Sequence, residues 1–196
     1  MLHVGLAIAF ASLVTAPRVS APICIAPSSA QLPGTDVTQA SAAVNELFKS
    51  YLTGPSLSAV ILTARLASQA REEARQANCK FVLFVTAKGD RHKGGTLGHI
   101  AGKAAQEAAW GASVEASSAA KRVASMGAMG AARAATDIAV TTKAQDELEL
   151  SYRLESETGA VLKEGKTKQK AKSDGEDLLT PLIEHAAEEI AAIVAK

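Results

Sequence analysis

The sequence predicts an α/β domain, an α+β sandwich on a mixed five-stranded sheet in the order β-α-β-α-β-(insertion)-β-β-α. Three observations carry this. Residues 79–87 (CKFVLFVTA) are apolar at both alternating sets of positions, as in a strand covered on both faces. Before them, two short apolar runs alternate with two helical patterns, an order that requires parallel strands joined by right-handed crossovers. After them, Leu148, Leu150, Tyr152 and Leu154 alternate with Glu147, Glu149, Ser151, Arg153 and Glu155, the pattern of a strand with one buried face.

Composition narrows the function classes. The 196 residues suffice for one sizeable core. Hydrophobic residues reach 47% but aromatics only 4%, and much of the apolar share is alanine. The core must therefore concentrate in the few segments rich in Val, Ile, Leu and Phe. With 21 basic against 20 acidic side chains the chain lacks the basic excess of a nucleic-acid binder, so no nucleic-acid partner is expected.

Taken in order, residues 4–16 form an uncharged apolar run of signal-peptide length, and Val19-Ser20-Ala21 fits the small-residue cleavage rule. Residues 1–21 are read as a signal peptide and residues 22–196 as a single α/β domain. The leader lacks Lys and Arg before its apolar run, and Pro22 would follow the cut. The competing reading is a buried first strand or helix. Export implies a periplasmic location, with outer-membrane association or secretion as alternatives.

Ile23, Cys24, Ile25 and Ala26, stopped by Pro27, read as a short buried strand, and residues 32–35 as a loop. Asp36 suits an N-cap, with Gln39 three residues on. Val37, Ala40, Val44, Leu47, Phe48 and Tyr51 then form one helical stripe that Gly54-Pro55 ends. Residues 58–63 (SAVILT) are a second short strand. Residues 64–78 are helical by composition, with Leu66, Ala67, Ala70, Ala74 and Ala77 inward and Arg71, Glu72, Glu73 and Arg75 solvated. Late in the chain, Glu157-Thr158-Gly159 is a hairpin turn. Residues 160–170 return as a strand studded with Lys163, Lys166, Lys168 and Lys170. Such lysines blunt an exposed sheet edge, or bind an anionic partner such as lipopolysaccharide. Ser173-Asp174-Gly175-Glu176 fits a capping box. Leu179, Leu182, Ile183, Ala186, Ile190, Ile193 and Val194 line a closing helix, which Pro181 allows to start with Thr180 as its cap.

This order, the first strand ending in Ala26-Pro27, and the Glu147, Gly159, Lys170 return before a helix resemble the N-terminal α/β domain of the envelope translocation protein TolB. The related core of the curli-secretion channel protein of bacterial outer membranes is similar too. The resemblance covers about residues 22–88 and 146–196, and implies an envelope assembly or binding role without catalysis. No functional residue carries over from it.

Residues 89–145 form a long Ala/Gly-rich insertion, expected to be helical or mobile, with a role in self-association, partner binding or membrane-surface contact left open. Its start, residues 89–96 (GDRHKGGT), matches the nucleotide loop G-x-x-x-x-G-K-[ST] except at the lysine, where Gly95 stands. That lysine carries the charge that meets the phosphates, so a flexible basic loop is the better reading. His92 and His99 lack further ligands for a zinc site, and His185 belongs on a helix surface. No nucleophile elbow or Cys/His pair is present. No catalytic, cofactor-binding or metal-binding residue is expected, and no cofactor.

Cys24 and Cys79 are more informative. If the first strand lies between the second and third, the two cysteines are near neighbours. They then form either a disulfide, as an oxidising compartment permits, or two buried thiols side by side. The expected function is that of a non-catalytic periplasmic or envelope protein that binds or scaffolds a protein partner. The alternative is a structural protein that self-associates, or touches the membrane surface, through the insertion.

Overall fold

The computed structural model describes residues 22–54, 57–91 and 128–194, with side chains from residue 135 onward in the last segment. The expected signal peptide (1–21) and the sequence from His92 to residue 127 lie outside the described residues. Among the described residues the architecture is a six-stranded mixed sheet with four helices. Strands are β1 (Ile23–Ile25), β2 (Ser29–Gln31), β3 (Ala59–Ile61), β4 (Phe81–Asp90), β5 (Glu147–Ser156) and β6 (Val161–Lys170). Helices are α1 (Val37–Leu52), α2 (Ala67–Gln76), α3 (Ala128–Thr141) and α4 (Leu179–Val194).

The sheet order is β3-β1-β4-β5-β6, with β2 also paired to β4. β1 lies between β3 and β4, parallel to both, whereas β5 is antiparallel to β4 and to β6. The sixth strand corrects the expected five. β2 runs along the same side of β4 as β1, with Ile25 opposite Leu83 and Ser29 opposite Thr86. The two are one interrupted strand. Pro27, which cannot donate to a ladder, falls in the gap, and helix α1 repairs it. The Ser28 amide donates to Asn45 Oδ1 (3.1 Å), the Ser28 hydroxyl to the Ser41 carbonyl (2.9 Å), and the Ala30 amide to Ser41 Oγ (3.2 Å). Three residues with only Ala30 buried leave too short an alternation to be read from sequence.

One face of the sheet carries the main core. Ile23, Ile25, Leu83, Val85, Leu150, Tyr152 and Leu154 pack there against Val44, Phe48 and Leu52 of α1, Ile138 of α3, and Leu182, Ile183 and Ile190 of α4. Asp36 caps α1 by accepting from the Thr38 and Gln39 amides. The helix extends to Leu52, although Val37, expected in its stripe, is exposed. The closing helix starts at Leu179, not at Pro181, because Asp177 accepts from the Leu179 and Thr180 amides. The expected capping box does other work: Glu176 accepts from the Lys172 and Ser173 amides, and Asp174 from the Ala144 amide.

The insertion is shorter than residues 89–145 at both ends. Gly89 and Asp90 extend β4, opposite Leu148 and Glu147 of β5. A Cβ on Gly89 would meet Pro33 Cδ at 2.5 Å, so glycine admits this close approach. At the other end α3 belongs to the core, with Ala135, Ile138 and Ala139 buried. Among the described residues no helix is long and apolar enough to cross a membrane.

Candidate interaction face

Among the described residues, the opposite face of the sheet is covered by helix only at one end. There α2 rests on a small cluster of Cys24, Ala26, Leu62, Ala70, Ala74, Cys79 and Val82. Alanine dominates, so little apolar area holds α2 in place. Of the five residues expected to face inward, only Ala70 and Ala74 are buried, and Leu66 is 61% exposed. Two other interactions fix this end. Cys24 and Cys79 are joined by a disulfide, with an S–S distance of 2.08 Å and Cα atoms 5.8 Å apart.

The second is an ion pair. Arg71, expected to be solvated, donates from Nε to Glu155 Oε2 (2.7 Å) and from Nη2 to Oε1 (3.1 Å). Arg153 Nε stands 2.9 Å from Glu155 Oε1. The Glu155 carboxylate is almost wholly buried, and a register shift after Leu154 accompanies its position. Hydrogen bonding from Arg71 holds its pKa below the ordinary glutamate value against burial, with the Arg71 and Arg153 charges adding to the effect. Both guanidiniums also lie over the Phe84 ring, at 5.6 Å and 5.4 Å from its centroid. Two arginines thus substitute for the cover that the strand's second apolar face demanded.

Beyond this cluster the face is open and polar among the described residues. Phe84, Thr86, Ser151, Arg153, Glu164 and Lys166 line a shallow depression of about 540 Å³. Two of the β6 lysines are paired across to β5: Lys166 with Glu149 (2.7 Å), Lys168 with Glu147 (2.9 Å) and with Glu149 (3.1 Å). These hydrogen bonds, first that from Lys166, lower the Glu149 pKa. Glu147 and Glu149 thus offset the charge of Lys166 and Lys168 on this face.

On the core face, Tyr152 lies over Gly165 and donates a hydrogen bond to Glu189, which also pairs with Lys163 at 3.6 Å. A Cβ on Gly165 would run into the Tyr152 ring, so the glycine makes room for it. We expect Gly165→Ala to destabilise the domain by about 1–3 kcal/mol, the usual range for overpacking; urea denaturation checks this. Burial, followed by the Glu189 hydrogen bond and charge, pushes the Tyr152 phenol above its ordinary pKa. Burial likewise raises Tyr51, with the Glu184 and Asp177 charges adding to it. A raised phenol contributes stability that is complete below the unfolded pKa of about 10 and is lost as pH rises through the folded value. Tyrosinate absorbance should therefore emerge above pH ~10 in the native protein and near pH ~10 in urea, since the chain has only these two tyrosines.

A last cluster closes the base of the insertion. Arg91 donates from Nη2 to the Thr141 carbonyl (2.7 Å) and to Asp146 Oδ2 (3.1 Å), and buried Asp146 also accepts from the Lys143 amide (2.9 Å). The strand leaving the core and the chain returning to it are clamped side by side. The loop read as nearly a nucleotide-binding motif therefore begins with two ladder residues, Gly89 and Asp90, and a clamping arginine. Its remaining residues, with His92 and His99, lie outside the described ones. His185 is exposed on α4. Among the described residues, no three His, Cys, Asp or Glu side chains gather as a metal site would require.

No protein-family model matches the chain, and no curated protein matches it. Among solved structures it is similar to a PelC dodecamer from Paraburkholderia phytofirmans, at 14% identity and a TM-score of 0.50, over 92% of this chain and 92% of that one. A second crystal form of PelC from the same organism aligns at 12% identity and a TM-score of 0.46, over 91% of this chain and 89% of the other. At 14% identity the first likeness shows a shared fold. It lends no support to the closer resemblance with TolB drawn from element order.

Proposed function

We propose that this chain is a non-catalytic protein of the cell envelope that acts by assembly, associating with further copies of itself and scaffolding a protein partner. The observation that carries the reading is the fold it shares, over nearly its whole length, with a protein crystallised as a dodecamer. The Cys24–Cys79 disulfide supports an oxidising address such as the periplasm. The polar side chains support a structural role as well. Glu155, Asp146 and Glu149 are each held by cations or amides of the chain itself, with none left as an activated acid or base facing a deep pocket.

Crosslinking in intact cells, followed by fractionation and identification of the products, tests this. The expected products are multiples of the chain, together with a second envelope protein, recovered from the periplasmic or outer-membrane fraction. Recovery from the cytoplasm with both cysteines as free thiols would overturn the envelope reading.

A further inference from the structure

We propose that copies of this chain join head to tail through their two sheet edges, the β6 edge of one copy lying against the β3 edge of the next. The inference rests on the self-association proposed above and assigns its surface. Following the pairings across the sheet, Val60 of β3 stands opposite Cys24, Cys24 opposite Val82, Val82 opposite Glu155, and Glu155 opposite Val161 of β6. Val60 and Val161 are thus the two ends of one cross-strand row and share one face of the sheet. Both are apolar and exposed, at 40% and 52%, and Leu162 beside Val161 is 43% exposed. The strand directions also fit. β3 is parallel to β4, and β6, antiparallel to β5, is parallel to β4 as well. A neighbouring copy in the same orientation therefore continues the sheet as a parallel ladder, with Val161 beside the neighbour's valine at position 60. Because the two surfaces differ, each copy keeps one free edge for the next, and the contact repeats until a ring closes.

Charge selects this arrangement over pairing of two β6 edges. Lys163, Lys166, Lys168 and Lys170 of two β6 strands would face one another, which disfavours that contact. β3 carries only Ala59, Val60 and Ile61, none of them charged, and followed across the sheet the Val60 row ends at Val161 and the Ile61 row at Lys163. Lys163 thus meets an uncharged neighbour, and Lys166, Lys168 and Lys170 run past the end of so short a strand.

Cysteine crosslinking tests the contact. Neighbouring strands lie about 4.8 Å apart, which suits a disulfide between facing residues. The full-length chain is made as Val60→Cys, as Val161→Cys and as the double variant, and each is treated with diamide and run on a non-reducing gel. The expected result is a ladder of covalent multimers from the double variant and none from either single variant. A covalent dimer from Val161→Cys alone would mean that β6 edges pair with each other, and would overturn the proposal. So would the absence of a ladder while light scattering still reports several chains, which leaves self-association standing on another surface. A single-chain mass for the unmodified protein would overturn both readings. As a second measurement, Val60→Lys and Val161→Lys should each lower the solution mass to one chain without changing the circular dichroism spectrum. An unchanged mass in both would contradict the assigned edges.

Discussion

Replacing Cys24 and Cys79 together by alanine is expected to lower the stability of the domain by about 4 kcal/mol, and its melting temperature by about 10 °C. The bond closes a loop with a sequence separation of 55, and cross-linking a loop of that length removes roughly this much entropy from the unfolded chain. The structure gives the bond unusual weight locally. It ties β1 to the turn between α2 and β4, where the surrounding cluster consists largely of alanines and offers little apolar area in compensation. Urea denaturation of the native and double-alanine proteins measures the difference. A loss below about 1 kcal/mol would show that β1 and β4 hold this end of the sheet without the bond.

Arg71→Ala is expected to cost about 2 kcal/mol. Breaking a buried ion pair costs about 3–5 kcal/mol, and the value is discounted here because Arg71 is one-third exposed and Arg153 still faces Glu155. Arg75→Ala is the control, since its pair with Glu72 is exposed on both sides and should change stability by less than about 0.5 kcal/mol. The two variants should also differ in pH dependence. The Glu155 pKa is lowered in the folded state, so its stabilising contribution is present above the ordinary glutamate value of about 4.3 and is lost as pH falls below it. The gap between the native protein and Arg71→Ala should therefore be full at pH ~7 and close progressively below pH ~4. A gap that stays constant into acid would mean that Arg71 acts through packing on Phe84 instead of through charge.

Those two features mark where the sequence was and was not legible. The long strands were readable because period-2 alternation in β5 and the doubly apolar run in β4 are local patterns of high contrast. The stripes of α1 and α4 were readable for the same reason at a period of 3.6. The nearness of Cys24 and Cys79 followed from strand order alone, because β1 lies between β3 and β4. By contrast, Arg71 and Glu155 are 84 positions apart, and each sits where its own element shows a solvated face. Only the docking of α2 across the sheet brings them together. Arg91 and Asp146, 55 apart, were hidden in the same way, and Arg91 also lay inside a glycine-rich motif that suggested phosphate chemistry. β2 was missed because three residues after a proline give no period to count. The signal that could have exposed the edge contact was the row register, which needs the pairings of all five neighbouring strands.

Self-association is the claim on which the functional reading stands, and the molar mass of the full protein in solution tests it most directly. Size-exclusion chromatography with light scattering, on protein whose cysteines are shown by mass spectrometry to be bonded, should report a defined multiple of the single-chain mass that persists on dilution. A mass of one chain at every concentration would contradict the account.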